Sequence, residues 1–411
     1  MRSLRALSAV LLSLAANAGA AQPIQPAIAV GAPTTISEGE RVTLHSAVLD
    51  EDRVVFVSMP ASYDGERRYP VLYLTDGQFN FDQARSTVGF LSRNVLIPQM
   101  IVVGIVNKDR TRDLYATRAD FKLGARTIPF PNSGNGDNFL KFIQDELIPW
   151  VDANYRTTPL RLFAGHSAGG NFALHAMRTE PLLFQGVIAI SPWLAWDDHR
   201  ELHELESFLA SAKTPVRALF VSYVGANDGP EMKGDIDVLS AALRARNDPA
   251  LRWSVSAYPD ETHDSTFVKA YYDGLRAMFA GWSYPRDPQT NALIGSLDDI
   301  KAYYAKLGQE FDVPFLPPPE VLNDLGYRDL GRGKIDEALA AFRFSTEQYP
   351  RSANGWDSLG EGLERAGKLE AAAAAYRTAI ALAEASHDQG VGTFRGHAQH
   401  VADRIKSATH S

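Results

Sequence analysis

Apolar residues along the chain fall first into short continuous runs, then into helical periodicities. The runs are Tyr69–Thr75 (YPVLYLT), Met100–Val106 (MIVVGIV), Leu160–Ala164, Gly186–Ile190, Val216–Val224 and Leu251–Tyr258. Runs of that length bounded by turn residues read as strands buried on both faces. Ahead of them, Arg41–Leu49 and Arg53–Met59 alternate or run apolar with β-branched residues, and Asp50-Glu51-Asp52 reads as a turn. They predict a β-hairpin that opens a sheet. Helix-like stretches lie between the runs, among them Phe81–Asn94, Asn135–Tyr155 and Ala168–Thr179. In the second, Phe139, Phe142, Ile143, Leu147 and Trp150 line one side. Strands alternating with helices predict a mostly parallel central sheet covered on both faces, with the hairpin as its antiparallel edge.

Near Tyr284 the pattern changes. Leu297–Glu310 reads as a helix, and Val313–Glu320 contains Pro314 and Pro317-Pro318-Pro319. Residues 284–319 therefore read as a linker with a helix that packs on the first domain. Beyond it the chain repeats at an offset of 34 residues: Leu325-Gly326 with Leu359-Gly360, Gly333-Lys334 with Gly367-Lys368, Ala338 with Ala372, and Phe342 with Tyr376. Small residues where paired helices touch, with a glycine in the turn between them, resemble the tetratricopeptide pattern. Residues 320–411 are expected to form an all-α domain, with Gly396–Lys406 as a capping helix.

The run Leu160–Ala164 leads straight into Gly165-His166-Ser167-Ala168-Gly169, which fits the G-x-S-x-G nucleophile elbow. A turn that sharp between strand and helix strains the serine and exposes its hydroxyl, and the two glycines let strand and helix approach. The Ala168 N–H, at a helix start, is free to face a developing oxyanion. Together with the strand pattern this is the α/β-hydrolase plan. In that plan an acid and then a histidine follow the serine. Asp228, in the turn after Val216–Val224, is the candidate acid, with Glu231 as its substitute. His263, on the loop after Leu251–Tyr258, is the candidate base. The remaining histidines fit less well: His166 should diverge from Ser167, His175 lies inside a helix, and His199 and His203 have zinc spacing without the zincin glutamate. Gly77 in Asp76-Gly77-Gln78 permits an unusual backbone angle that would turn the Gln78 N–H inward as the second oxyanion donor. Trp193 offers a wall for an acyl or aromatic group. Arg110 and Arg112, in the charged loop Lys108–Arg126, could hold a substrate carboxylate or catecholate.

Composition narrows the setting. Arg2 and Arg5 precede an apolar run, Ala6–Ala16, and small residues follow up to Ala21. Met1–Ala21 thus reads as a secretory signal peptide, and the mature protein is expected in the periplasm or outside the cell. No later stretch is apolar and long enough for a membrane span. The chain has no cysteine, which excludes disulfides and thiolate metal sites. Its net charge of −8, or −10 once Arg2 and Arg5 are removed, argues against a nucleic-acid partner. Neither a metal nor an organic cofactor is called for by these residues.

From about Arg41 to Trp282 the chain resembles the esterase-D-type "putative esterase" branch of the α/β-hydrolases. The resemblance rests on Val71–Gly77, Arg110–Leu114, Gly165–Gly170, Ser191-Pro192-Trp193 and His263. It is strongest toward the siderophore-esterase-like members. It implies Ser167 as nucleophile, His263 as base, N–H donors at Gln78 and Ala168, and a small-molecule ester as substrate. The expectation is an exported serine esterase for a siderophore-type or aryl ester. The alternatives are an acyltransferase that uses the same acyl-enzyme, or a binding protein whose helical tail docks a partner or self-associates.

Overall fold

The computed structural model describes residues 38–409 except 62, 64–66, 124–125, 212–215 and 226–227. The expected signal peptide and the segment up to residue 37 lie outside the described residues. The hairpin forms as β1 (Glu40–Ser46) and β2 (Glu51–Ser58), antiparallel, with Thr43 opposite Val54. Then come β3 (Tyr69–Leu74), α1 (Gly77–Arg93) and β4 (Ile101–Ile105). The charged loop holds a short helix, α2 (Arg110–Leu114), and a small separate hairpin, β5 (Phe121–Leu123) with β6 (Arg126–Ile128).

The long helix expected over Asn135–Tyr155 is divided. It runs as α3 (Gly136–Phe142), a π-helical turn (Ile143–Leu147) and α4 (Ile148–Asn154). Pro149 has no N–H for the carbonyl one turn back, and its ring crowds that carbonyl, so the helix widens there. Next are β7 (Thr157–His166), α5 (Ala168–Thr179), β8 (Gly186–Ile190), α6 (Arg200–Ser211), β9 (Ala218–Tyr223), α7 (Gly229–Arg246), β10 (Arg252–Ala257) and α8 (Thr266–Met278).

The strands form one sheet in the order β1-β2-β4-β3-β7-β8-β9-β10. β1, β2 and β4 pair antiparallel, and every pairing from β4 to β10 is parallel. This is the α/β-hydrolase fold. Side chains alternate across it, as a pleated strand requires. Val71 and Tyr73 face one core with Phe139, Phe142 and Phe172. Leu72 and Leu74 face the other, with Phe81 and Val88 of α1 and Tyr271 and Leu275 of α8. The chain moves outward from β3 to β4, returns to β7, and then builds in the opposite direction. β3 and β7 therefore flank the point where the strand order reverses, and the crevice at their carboxyl ends is where such sheets bind ligands.

The tail is all-helical: α9 (Leu297–Phe311), α10 (Pro319–Gly331), α11 (Ile335–Gln348), α12 (Ala353–Arg365), α13 (Leu369–Ser386) and α14 (Val391–Thr409). The 34-residue offset reappears as geometry. A Cβ on Gly326 would meet the Phe342 ring at 2.2 Å, and one on Gly360 would meet the Tyr376 ring at 2.6 Å. Gly333 and Gly367 both have positive φ, 74° and 72°. The core does not break at residue 319. Ile300, Tyr304, Leu307 and Phe311 of α9, Val321 and Leu325 of α10, and Ala341 of α11 are buried in the same cluster as Leu72 and Leu74. Among the described residues, no helix is long and apolar enough to cross a membrane.

Candidate active site

The candidate nucleophile sits at the turn from β7 into α5. Ser167 has φ 60° and ψ −116°, a strained conformation for a residue with a side chain. The turn closes because Gly165 and Gly169 touch backbone to backbone; a Cβ on Gly165 would stand 2.0 Å from the Gly169 oxygen. Among the described residues, nothing hydrogen-bonds the Ser167 hydroxyl. Its main chain is fixed to the next strand: its N–H donates to the Ile190 carbonyl at 2.8 Å, and its own carbonyl accepts from Trp193 N–H at 3.1 Å.

The other two candidates come from the loops after β9 and β10. His263 Nδ1 meets Asp228 Oδ1 at 2.7 Å. Asp228 Oδ2 accepts from the Val224 N–H at 2.7 Å and from the Ser191 hydroxyl at 3.1 Å. Burial would raise the Asp228 carboxyl, but the hydrogen bonds from His263, Val224 and Ser191 hold it below its ordinary value. Glu231, the expected substitute, is not the carboxylate on His263. It pairs with His199 at 3.7 Å, and His199 also meets Asp235 at 2.9 Å. The α7 helix begins at Gly229, and its first turn carries Glu231 to a different neighbour.

The β3–α1 loop departs from expectation in how it turns. The left-handed residue is Asp76 (φ 55°), not Gly77. Gly77 is needed for closeness instead: a Cβ there would meet the Gly104 backbone at 2.7 Å. Gln78 and Ala168 nevertheless stand in the first turns of α1 and α5, at the ends of the paired strands β3 and β7. Neither N–H has a partner among the described residues, as helix starts allow. Two free donors and two positive helix ends at one place suit a developing negative charge.

The arginines separate. Arg110 Nε and Nη2 grip both oxygens of the buried Asp76 at 2.7 and 3.1 Å, beside the Gln78 turn. Desolvation raises the Asp76 carboxyl against the pull of Arg110. Arg112 lies elsewhere. Its guanidinium is committed to Asp113 at 2.7 Å and Glu51 at 2.6 Å, in a network with the fully buried Arg53. This network ties α2 to the hairpin, so Arg112 serves the scaffold rather than a substrate. Trp193 is half-buried beside the Ser167 carbonyl, with its ring 5.8 Å from Phe121. Trp196 stacks on Tyr115 at 4.0 Å within the core. Two features escaped the sequence reading. Phe79 is 66% exposed directly after Gln78. His166 does not diverge from the site but reaches the His263 carbonyl at 2.7 Å. Among the described residues, no cluster of His, Asp and Glu is arranged to hold a metal.

A strained serine at a strand–helix turn, an Asp–His pair tied to the neighbouring His166 and two free N–H groups make up a candidate hydrolase site of the nucleophile-elbow pattern. Comparison with known proteins agrees. The family profile described as "Putative esterase" matches residues 46–255, more than half of the chain, and the chain belongs to that family. The ferri-bacillibactin esterase BesA of Bacillus subtilis is 30% identical over 172 residues, 39% of this chain and 60% of that protein. The siderophore triacetylfusarinine C esterase of Aspergillus fumigatus is 27% identical over 276 residues, 57% of this chain and 93% of the relative. Among solved structures, an IroE-like serine hydrolase from Shewanella oneidensis has a TM-score of 0.66 at 26% identity, covering 75% of this chain and 99% of its own.

Proposed function

We propose that the protein is an exported serine esterase whose substrate is a siderophore-type ester. The observation that carries the reading is the 2.7 Å pair of His263 and Asp228 at the sheet edge where Ser167 is strained. His263 takes the Ser167 proton as the hydroxyl oxygen attacks the ester carbonyl. Asp228 fixes the ring with Nδ1 protonated and balances the imidazolium that forms. The Gln78 and Ala168 N–H groups stabilise the tetrahedral oxyanion. His263 then protonates the leaving alkoxide, which leaves an acyl group on Ser167. Water activated by the same ring hydrolyses it and restores the serine. Trp193, beside the Ser167 carbonyl, is the wall this reading offers an acyl or aromatic group, and Arg110, held by Asp76, stands beside the Gln78 turn. The substrate class rests on the relatives, one named a ferri-bacillibactin esterase and one a siderophore triacetylfusarinine C esterase. Export rests on the pattern of Met1–Ala21.

The test is hydrolysis of p-nitrophenyl acetate and butyrate by the mature protein and by Ser167→Ala, with fluorophosphonate labelling of both. The expected result is activity and labelling in the first and neither in the second. A trilactone siderophore and an aryl ester are then compared by kcat/KM. Equal labelling of both proteins would overturn the assignment of Ser167.

A further inference from the structure

The contacts around the site form a closed circuit. From Ser167 the chain of bonds passes through its N–H to Ile190. The next residue, Ser191, donates its hydroxyl to Asp228 Oδ2 at 3.1 Å. Asp228 Oδ1 holds His263 Nδ1 at 2.7 Å. The carbonyl of His263 lies 2.7 Å from His166 Nε2, and His166 is the residue before Ser167. A carbonyl can only accept, so His166 Nε2 carries the hydrogen. Every member is held by its neighbours, and two members, His166 and Ser191, have no part in the bond-making steps.

Both are built into place. His166 is buried, with its ring 4.7 Å from the His263 ring and edge-on to Phe267 at 5.8 Å. Ser191 is fully buried and has φ 40°, a left-handed conformation that a serine adopts only where its surroundings impose it. Its N–H donates to the Ser222 carbonyl at 2.7 Å, which holds that turn against β9. His263 sits on a loop, and a ring tethered only at Nδ1 could still swing about that bond. The second tether, at its carbonyl, fixes the backbone from which that ring projects.

Building on the reading of Ser167, Asp228 and His263 as a triad, we infer that His166 and Ser191 are positioning residues that complete this circuit. His166 holds the backbone of the base from the nucleophile side, and Ser191 holds the acid from the strand that anchors the nucleophile. Burial, with the neighbouring His263 ring, lowers the pKa of His166 to about 4, which keeps it neutral, the form in which its Nε2–H donates while Nδ1 carries no charge toward His263.

The experiment compares His166→Leu, His166→Gln and Ser191→Ala with wild type on p-nitrophenyl butyrate, with Ser167→Ala alongside. His166→Leu removes the donor and should lower kcat by about 10²-fold, the scale of an ångström of misplacement, with KM within about twofold. Glutamine puts an amide N–H close to where Nε2 stood and should recover most of that loss. Ser191→Ala should lower kcat about tenfold, and combined with Asp228→Asn it should cost nothing further, because it acts through Asp228. Wild-type kcat in a folded His166→Leu, a His166→Gln variant as impaired as leucine, or an additive Ser191→Ala loss on Asp228→Asn would each overturn the inference. If His166→Leu does not fold, the Ser191→Ala double-mutant test still decides. Activity retained by Ser167→Ala would instead overturn the underlying triad.

Discussion

A Cβ on Gly165 would lie 2.0 Å from the carbonyl oxygen of Gly169, closer than a carbon and an oxygen not bonded to each other can stand. The nucleophile turn is thus a contact between the end of β7 and the first turn of α5, with Ser167 strained between them. Gly165→Ala must push the two apart. We expect destabilisation of about 4 kcal/mol or more, or failure to fold. Urea unfolding of the purified variant measures it. A loss under 1 kcal/mol would mean that the turn is more adaptable than this packing allows.

Asp228 gives one oxygen to His263 and the other to the fold, whereas Glu231 is turned toward His199. If Asp228 is the acid of the proposed triad, Asp228→Asn should lower kcat by about 10³- to 10⁴-fold, as loss of the correct tautomer does in a Ser-His-Asp triad. Glu231→Gln should stay within about twofold of wild type. Steady-state kinetics on one ester settle both. A Glu231→Gln loss comparable with that of Asp228→Asn would reverse the assignment.

Much of this was legible in the sequence, and the reasons are physical. Buried strands such as Val71–Leu74 and Gly186–Ile190 announce themselves as apolar runs because both of their faces are covered. The elbow is legible because only glycine fits where Gly165 and Gly169 stand. The contacts between distant loops were not legible. Nothing local to Arg112 says that Glu51, far back in the chain, will claim it, and nothing local to His166 points to the carbonyl of His263. The left-handed turn at Asp76 was assigned to Gly77, since glycine is the residue that usually adopts it. Here Asp76 is locked instead by Asn107 on its N–H and Arg110 on its carboxylate. The π-helical turn before Pro149 was hidden because the apolar side continues through it.

His175, on the nucleophile helix, bridges Glu201 at 3.1 Å and Asp137 at 2.9 Å. Burial opposes its charge, but the hydrogen bonds it donates to these two carboxylates prevail and raise its pKa to about 9. A raised histidine pKa stabilises the fold fully below its unfolded value, near 6.5, and the contribution is lost as pH rises through about 9. The protein should lose on the order of 2 to 3 kcal/mol between those limits from this group. In His175→Gln that slope should flatten. Urea midpoints at several pH values would show it, and parallel slopes in both proteins would refute it.

Phe79 is exposed in the first turn of α1, next to the free Gln78 N–H. An apolar ring left in water beside the candidate oxyanion donors is placed to meet a substrate. Phe79→Ala should raise KM for an aryl ester by about 3- to 10-fold, the scale of one aromatic contact, with little change in melting temperature. Acetate esters, too short to reach it, should be unaffected. Equal effects on both substrates would place the ring's role in the fold instead.

The tail is joined to the core of the α/β domain and does not hang from a linker. Val321 and Leu325 of α10 and Ala341 of α11 are buried with Leu72 and Leu74 of β3. The Tyr349 hydroxyl donates to the Pro317 carbonyl at 2.8 Å, and Arg67, just ahead of β3, lies over the Tyr349 ring at 5.2 Å. Cutting the chain after Phe315 would uncover the side chains of this cluster that α10 and α11 bury, each worth about 1.5 to 3 kcal/mol at full burial. The truncated protein should melt on the order of 10 °C lower or precipitate, even though all residues of the active site remain. Calorimetry of the mature protein with and without residues 316–411 makes the comparison. An unchanged melting temperature would mean that the tail is a separable module, and its role would then have to be sought in what it binds.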